Sequence, residues 1–103
     1  LMFCRDCLVH LSESSIWQAL RNFASSHIKY LLTTTFTRET RRNMNFEDGT
    51  NWFPLNLMGA PYNLPHPTIL INEGCTEKDM YGDYADKSLG LWTREQIKNV
   101  VSK

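Results

Sequence analysis

Residues 28–36 read IKYLLTTTF. Eight of these nine positions carry β-branched, aromatic or long aliphatic side chains, and the one charge, Lys29, lies near the start. An amphipathic strand alternates apolar and polar residues, whereas a run without alternation suits a strand covered on both faces, as in parallel sheets. The run therefore predicts a central strand of an α/β domain. Its neighbours have to supply a crossover helix and a second parallel strand.

Both lie immediately upstream. Ser12 is a good N-cap and Glu13 sits at the positive end of the helix dipole. Ile16, Leu20 and Phe23, supported by Trp17, Ala19 and Ala24, recur at steps of three and four, which is one buried stripe of a helix. Before it, Leu1–Cys4 is an apolar start broken by Arg5 and Asp6, the end of a buried strand. Strand, helix and strand make a βαβ unit.

Downstream the periodicity stops. Thr37–Pro67 holds all four prolines (Pro54, Pro61, Pro65, Pro67) and also Phe46, Trp52, Phe53, Leu55, Leu57 and Tyr62. Loops longer than about 12–15 residues are uncommon in compact domains. This one carries too many aromatics for a solvated tail, so it is expected to be an ordered excursion folded over something. Thr68–Glu73 then reads as a short strand, Gly74–Asp86 as a polar loop and Ser88–Trp92 as a last strand. Thr93-Arg94-Glu95-Gln96 matches a capping box opening a short helix with Ile97, Val100 and Val101 on its apolar edge.

A chain of 103 residues with 42% hydrophobic content has room for one domain with one modest core. Eleven basic residues balance eleven acidic ones, so the broad positive field required by nucleic acid or an anionic membrane is missing, and neither is expected as a partner. Arg38, Arg41 and Arg42 read as a solvated loop cluster. No apolar run has the length of a membrane span, and no signal peptide is expected before the first strand. Three cysteines, an odd number, point to a reducing compartment, and the expected location is the cytoplasm.

The stretch CRDCLVH sets Cys4, Cys7 and His10 at steps of three. A redox CxxC places its first thiolate at a helix N-terminus, but here Cys4 belongs to the strand and the helix starts near Ser12. A structural zinc needs four ligands, and Cys75 has no partner at the right step to complete one. Cys4 and Cys7 are therefore read as buried small hydrophobes.

Around those residues a resemblance appears. The succession FCRDCLVHLS, KYLLTTTF, WFPLNLMGAPYNLP, INEGCTE and DKSLGLW is similar to the carboxy-terminal half of bacterial class I, Rossmann-like S-adenosylmethionine-dependent methyltransferases that act on small molecules. The resemblance covers nearly all of residues 1–98. It implies a partial methyltransferase sheet in which Leu1–Cys4, Ile28–Phe36, Ser88–Trp92 and Thr68–Glu73 stand in the order 4-5-7-6 of the family, the seventh strand antiparallel. Ligands bind such sheets beyond the carboxyl ends of the parallel strands. Arg5, Asp6, His10, Thr35 and Phe36 are expected there. Asp6 or His10 is the candidate base, and Arg5, Trp52, Asn56 and Tyr62 are candidate acceptor-binding residues. The alternatives are a turn-forming Asp6, a His10 bonded to backbone, and loop aromatics that only pack.

Two departures from the family stand out. Where its members tend to carry a basic residue before Pro54, this chain has Phe53. The family's donor signature is a glycine-rich turn, whereas the glycines here (49, 59, 74, 82, 90) are scattered. The resemblance begins at the fourth strand and the first residue is Leu1, so a truncated domain with an open apolar first-strand edge is expected, closed by a homodimer. The functional expectation is the acceptor-side half of a methyltransferase that is inactive alone, its S-adenosylmethionine cofactor implied by resemblance only. The alternative is a non-catalytic binding or dimerisation module of the same ancestry.

Overall fold

The computed structural model describes residues 1–49, 52–80 and 82–102. Residues 50 and 51 of the long excursion and 81 of the following loop lie outside the described residues. The chain is a small α/β domain with a mixed sheet of four strands and two helices. Strand β1 (Met2–Cys4) leads through a single 3-10 turn (Leu8–His10) into α1 (Glu13–Ala24) and then β2 (Tyr30–Phe36). After the long excursion come β3 (Ile69–Asn72), a two-stranded hairpin of β4 (Lys78–Asp79) and β5 (Gly82–Asp83), β6 (Lys87–Thr93) and α2 (Arg94–Val101). The hairpin lies inside the segment expected as plain loop. No helix of the described residues is long and apolar enough to cross a membrane.

The sheet runs β1-β2-β6-β3, with β1 and β2 parallel and β6 antiparallel to both of its neighbours. Ser12 caps α1, its hydroxyl accepting from the Ser15 amide, and Ile16, Leu20 and Phe23 are its buried residues. The expected capping box opens α2: the Thr93 hydroxyl accepts from the Gln96 amide while the Gln96 side chain accepts from the Thr93 amide.

Side-chain alternation separates the two faces of the sheet. Leu31, Thr33 and Thr35 of β2 stand opposite Trp92, Gly90 and Ser88 of β6, and all six are buried. On that face a β-carbon at position 90 would come within 2.7 Å of the Trp92 ring, so glycine there leaves the space the indole fills. The indole N–H donates to the Pro65 carbonyl at 2.8 Å, tying the excursion to the sheet.

The described residues of the excursion form no helix or strand, and Phe53, Leu55, Leu57, Tyr62 and Leu64 are buried in the core. Backbone groups that lack a ladder need other partners. Asn43 supplies several: its side chain bonds both the N–H and the C=O of Asn56 at 2.8 Å and the Ala60 carbonyl at 2.9 Å. Asp48 accepts from the Ser12 amide at 2.7 Å and the Ser15 hydroxyl at 2.7 Å, so the excursion lends its own anion to the start of α1. Those bonds hold the Asp48 carboxyl below its ordinary range.

The arginine cluster corrects the reading of a solvated loop. Arg41 is largely buried, with 14% of its side chain exposed, and donates to Asp86 at 2.6 and 3.2 Å. Asp86 also accepts from the Thr37 and Arg38 amides at 3.0 Å, and Arg38 pairs with Asp83. Burial alone would raise the Asp86 carboxyl; the bonds from Arg41 and Arg38 outweigh it and hold the group below its usual range. Only Arg42 of the three is exposed. The cluster ties the start of the excursion to the turn that enters β6.

Candidate functional site

The turn after β1 is the first element of the site. Asp6 has φ +56°, a left-handed conformation that Asp tolerates better than most residues. Its amide donates to the Thr34 hydroxyl at 2.8 Å, and its carboxylate pairs with the Lys87 ammonium at 2.8 Å. Lys87 is half-buried and stands opposite Phe36 at the start of β6. Its ammonium is held above its usual range, chiefly by the bond to Asp6 and against the opposing effect of burial.

The following 3-10 turn buries Leu8 and Val9 and leaves His10 exposed. It is held by the excursion, because the His10 carbonyl accepts from Gly49 at 2.9 Å and the Val9 carbonyl from Phe53 at 3.2 Å. The same segment brings Trp52 alongside.

Together these parts enclose a cleft of about 230 Å³. One side is charged, formed by Asp6 and Lys87, with His10 and Glu77 beside them. The other is aromatic. Trp52 and Tyr84 meet edge-on with centroids 5.3 Å apart, and Phe36 lies 6.0 Å from Tyr84 and 6.5 Å from Trp52. Val9 and Cys75 complete the lining. Arg41 stacks over both Phe36 and Tyr84 at 5.4 Å, so the clamp on Asp86 also fixes the aromatic wall. The three rings are in mutual contact, which makes them a wall for an apolar or aromatic ligand and leaves no room for a cation between them.

Asp6, His10 and Trp52, expected at a site from the sequence, thus line one cleft. Arg5 sits beside it, paired with Glu73 at 2.7 Å and 57% exposed. Asn56 and Tyr62 lie elsewhere. Asn56 is a buried joint of the excursion, its side chain accepting from the Met58 amide at 3.0 Å. Tyr62 is buried 5.3 Å from Trp17 of α1, and its hydroxyl has no hydrogen-bond partner among the described residues. Thr35, expected with Phe36 at the site, is buried on the other face and accepts from the Leu57 amide at 3.1 Å. Phe53 packs against Phe46.

Sequence reading missed Tyr84, Lys87, Glu77 and Cys75. The one available signal was Tyr84, a lone aromatic in the polar run GDYAD. The reading of Cys7 as a buried hydrophobe is corrected, since Cys7 is exposed and Cys4 buried. Burial, reinforced by the adjacent Cys7 thiol, pushes the Cys4 thiol up to about 12, the opposite of the depressed value a redox nucleophile needs. Among the described residues no three His, Cys, Asp or Glu side chains form a group able to hold a metal. No family model, curated protein or solved structure matches the chain.

Proposed function

We propose that this chain is the acceptor-side half of an S-adenosylmethionine-dependent small-molecule methyltransferase of the class I, Rossmann-like family, and that the cleft binds the methyl acceptor. One observation carries the reading. The cleft lies beyond the carboxyl ends of the parallel strands β1 and β2, in a sheet ordered β1-β2-β6-β3 with β6 reversed, the arrangement the sequence resemblance implies for that half of the family fold.

The chemistry of the lining is consistent with this role. Methyl transfer is an in-line displacement in which the protein mainly positions the reactants. The Phe36–Trp52–Tyr84 wall suits a flat apolar acceptor, and Asp6 and His10 are placed to take a proton from its reacting atom. The ion pair to Lys87 keeps Asp6 oriented into the cleft.

The residues present do not fit a donor site. Gly49, Gly74 and Gly82 have positive φ and open space where a side chain would go, as in surface turns; Gly59 packs against Asn56 and Gly90 against Trp92. None of them follows a strand and opens a helix, the arrangement that lets a backbone approach the donor. The donor half therefore has to come from elsewhere. The same observation favours a second reading, a non-catalytic binding module on this fold.

The test is titration of the chain with small phenols and aromatic amines, and separately with S-adenosylhomocysteine, followed by Trp fluorescence and calorimetry. Acceptor-type ligands are expected to bind and to lose affinity about tenfold in Trp52→Ala, since an anchoring aromatic contributes on the order of 1.4 kcal/mol. Failure of both ligand types at millimolar concentration would remove the methyltransferase reading. Binding of acceptor-type ligands without any methyl transfer on adding a donor-binding half would leave the module.

A further inference from the structure

The alternation that buries one face of the sheet leaves much of the other exposed, apart from its cleft end, where Thr34 and Phe36 are buried. Phe3, Leu32, Leu91 and Ile69 are register partners across all four strands, so they form one continuous apolar row from edge to edge. Leu89 and Ile71 form a second step beside it. Phe3 is 59% exposed, Ile69 50% and Ile71 49%. Neither helix covers this face: its Leu32, Leu89 and Leu91 remain partly exposed while their neighbours Leu31, Gly90 and Trp92 are buried.

With Leu1 and Tyr30, 71% and 44% exposed, the patch is on the order of several hundred Å², the size of the largest apolar patches on monomers. It also approaches the ~800 Å² that each partner contributes to a stable interface.

We propose that this face docks against the same face of a second copy of the chain. The row carries no charged side chain, so two copies meet without like-charge repulsion, and nothing on it attracts an anionic or cationic partner. A two-fold axis passing between Leu32 and Leu91 maps the row onto itself and sets Phe3 of one copy near Ile69 of the other. The product is a sandwich of two sheets about 10 Å apart, the usual way two apolar sheet faces are buried. This differs from pairing along the open β1 edge, which would join strands by backbone hydrogen bonds and leave the face uncovered. It stands independently of the methyltransferase reading.

Sedimentation equilibrium from low to high micromolar concentration tests it. The unaltered chain is expected to dimerise. The double variant Ile69→Lys/Ile71→Lys, at two half-exposed positions, is expected to weaken the dimer at least tenfold with an unchanged far-UV circular dichroism spectrum. If the lysines impair folding, Ile69→Thr/Ile71→Thr keeps strand propensity while removing apolar area, and the same weakening is expected. A chain that stays monomeric throughout overturns the proposal. So does a dimer of unchanged affinity in the folded variants, which would return the interface to the β1 edge, and so does a monomer that associates only with a different protein.

Discussion

Leu91 and Trp92 are adjacent in the sequence and lie on opposite faces of the same strand. Trp92 is fully buried, its indole N–H bonded to Pro65 and its ring lying over Gly90. Leu91 is partly exposed in a row of apolar side chains that neither helix covers. The buried face has α1, α2 and most of the long excursion organised around it; the other face is covered only at its cleft end, where Trp52 and Tyr84 pack on Phe36. Hydrophobicity alone does not separate the two. What separates them is which face receives the excursion, and that is fixed by a few polar ties: Asn43 to Asn56, Asp48 to Ser12 and Ser15, and Arg41 to Asp86.

The strongest way to break this contrast is at Trp92. Trp92→Ala removes a fully buried ring and its hydrogen bond to Pro65, and is expected to lower unfolding stability by about 4 kcal/mol in urea denaturation. Leu91→Ala in the same assay, at concentrations where the chain is monomeric, is expected to cost about 1 kcal/mol, because part of that side chain is already in water.

The tie that supports the aromatic wall comes next. Asp86→Asn leaves Arg41 buried without its counter-charge and is expected to cost about 3 kcal/mol. The pH dependence has a definite sign. Asp86 is held below its unfolded value, so its contribution is present above about pH 4 and is lost as the pH falls below that. Acid unfolding of the variant should be correspondingly flatter. Loosening of the Phe36–Trp52–Tyr84 wall would appear as a red shift in Trp emission.

Tyr62 sharpens the comparison inside the covered face. Burial, then the nearby Glu13 carboxylate, pushes its hydroxyl up from 10.0 to about 12. The folded chain therefore holds this proton more tightly than the unfolded chain, and stability falls as the pH rises through that interval. Cys4 behaves alike, from 9.0 to about 12. Tyr62→Phe removes an unpartnered buried hydroxyl, so at pH 7 it is expected to change stability by less than about 0.5 kcal/mol. It should also flatten the alkaline loss above pH 10, leaving the part due to Cys4. Thermal melts across that range check both statements.

The smallest effect is expected in thiol reactivity. In the native chain Cys7 should react first with an aromatic disulfide reagent, Cys75 more slowly, and Cys4 only on unfolding, following their exposure. A Cys4 that labels as fast as Cys7 would mean that β1 opens readily.

Much of the scaffold was legible because it rests on local rules. The run 28–36, the stripe Ile16–Leu20–Phe23, the Ser12 cap and the Thr93 capping box each depend on residues within a few positions of one another, and all appear as elements where expected. The site was legible only in part. Asp6, His10 and Trp52 meet in the cleft, while Asn56 and Tyr62, equally plausible as pocket residues by type, turn inward to hold the excursion. A polar or aromatic residue in a segment without periodicity carries no mark of which way it faces.

The sequence by itself determined the four strands of the main sheet, the two helices, their N-caps and the presence of one small core, since periodicity and capping are short-range physics. Only the tertiary structure decided that Arg41 is buried on Asp86, that Tyr84 and Lys87 join Asp6 around one cleft, and that an apolar row on one face of the sheet stays partly exposed. Those outcomes depend on contacts between residues tens of positions apart, where burial and pairing follow from chain topology and not from residue type.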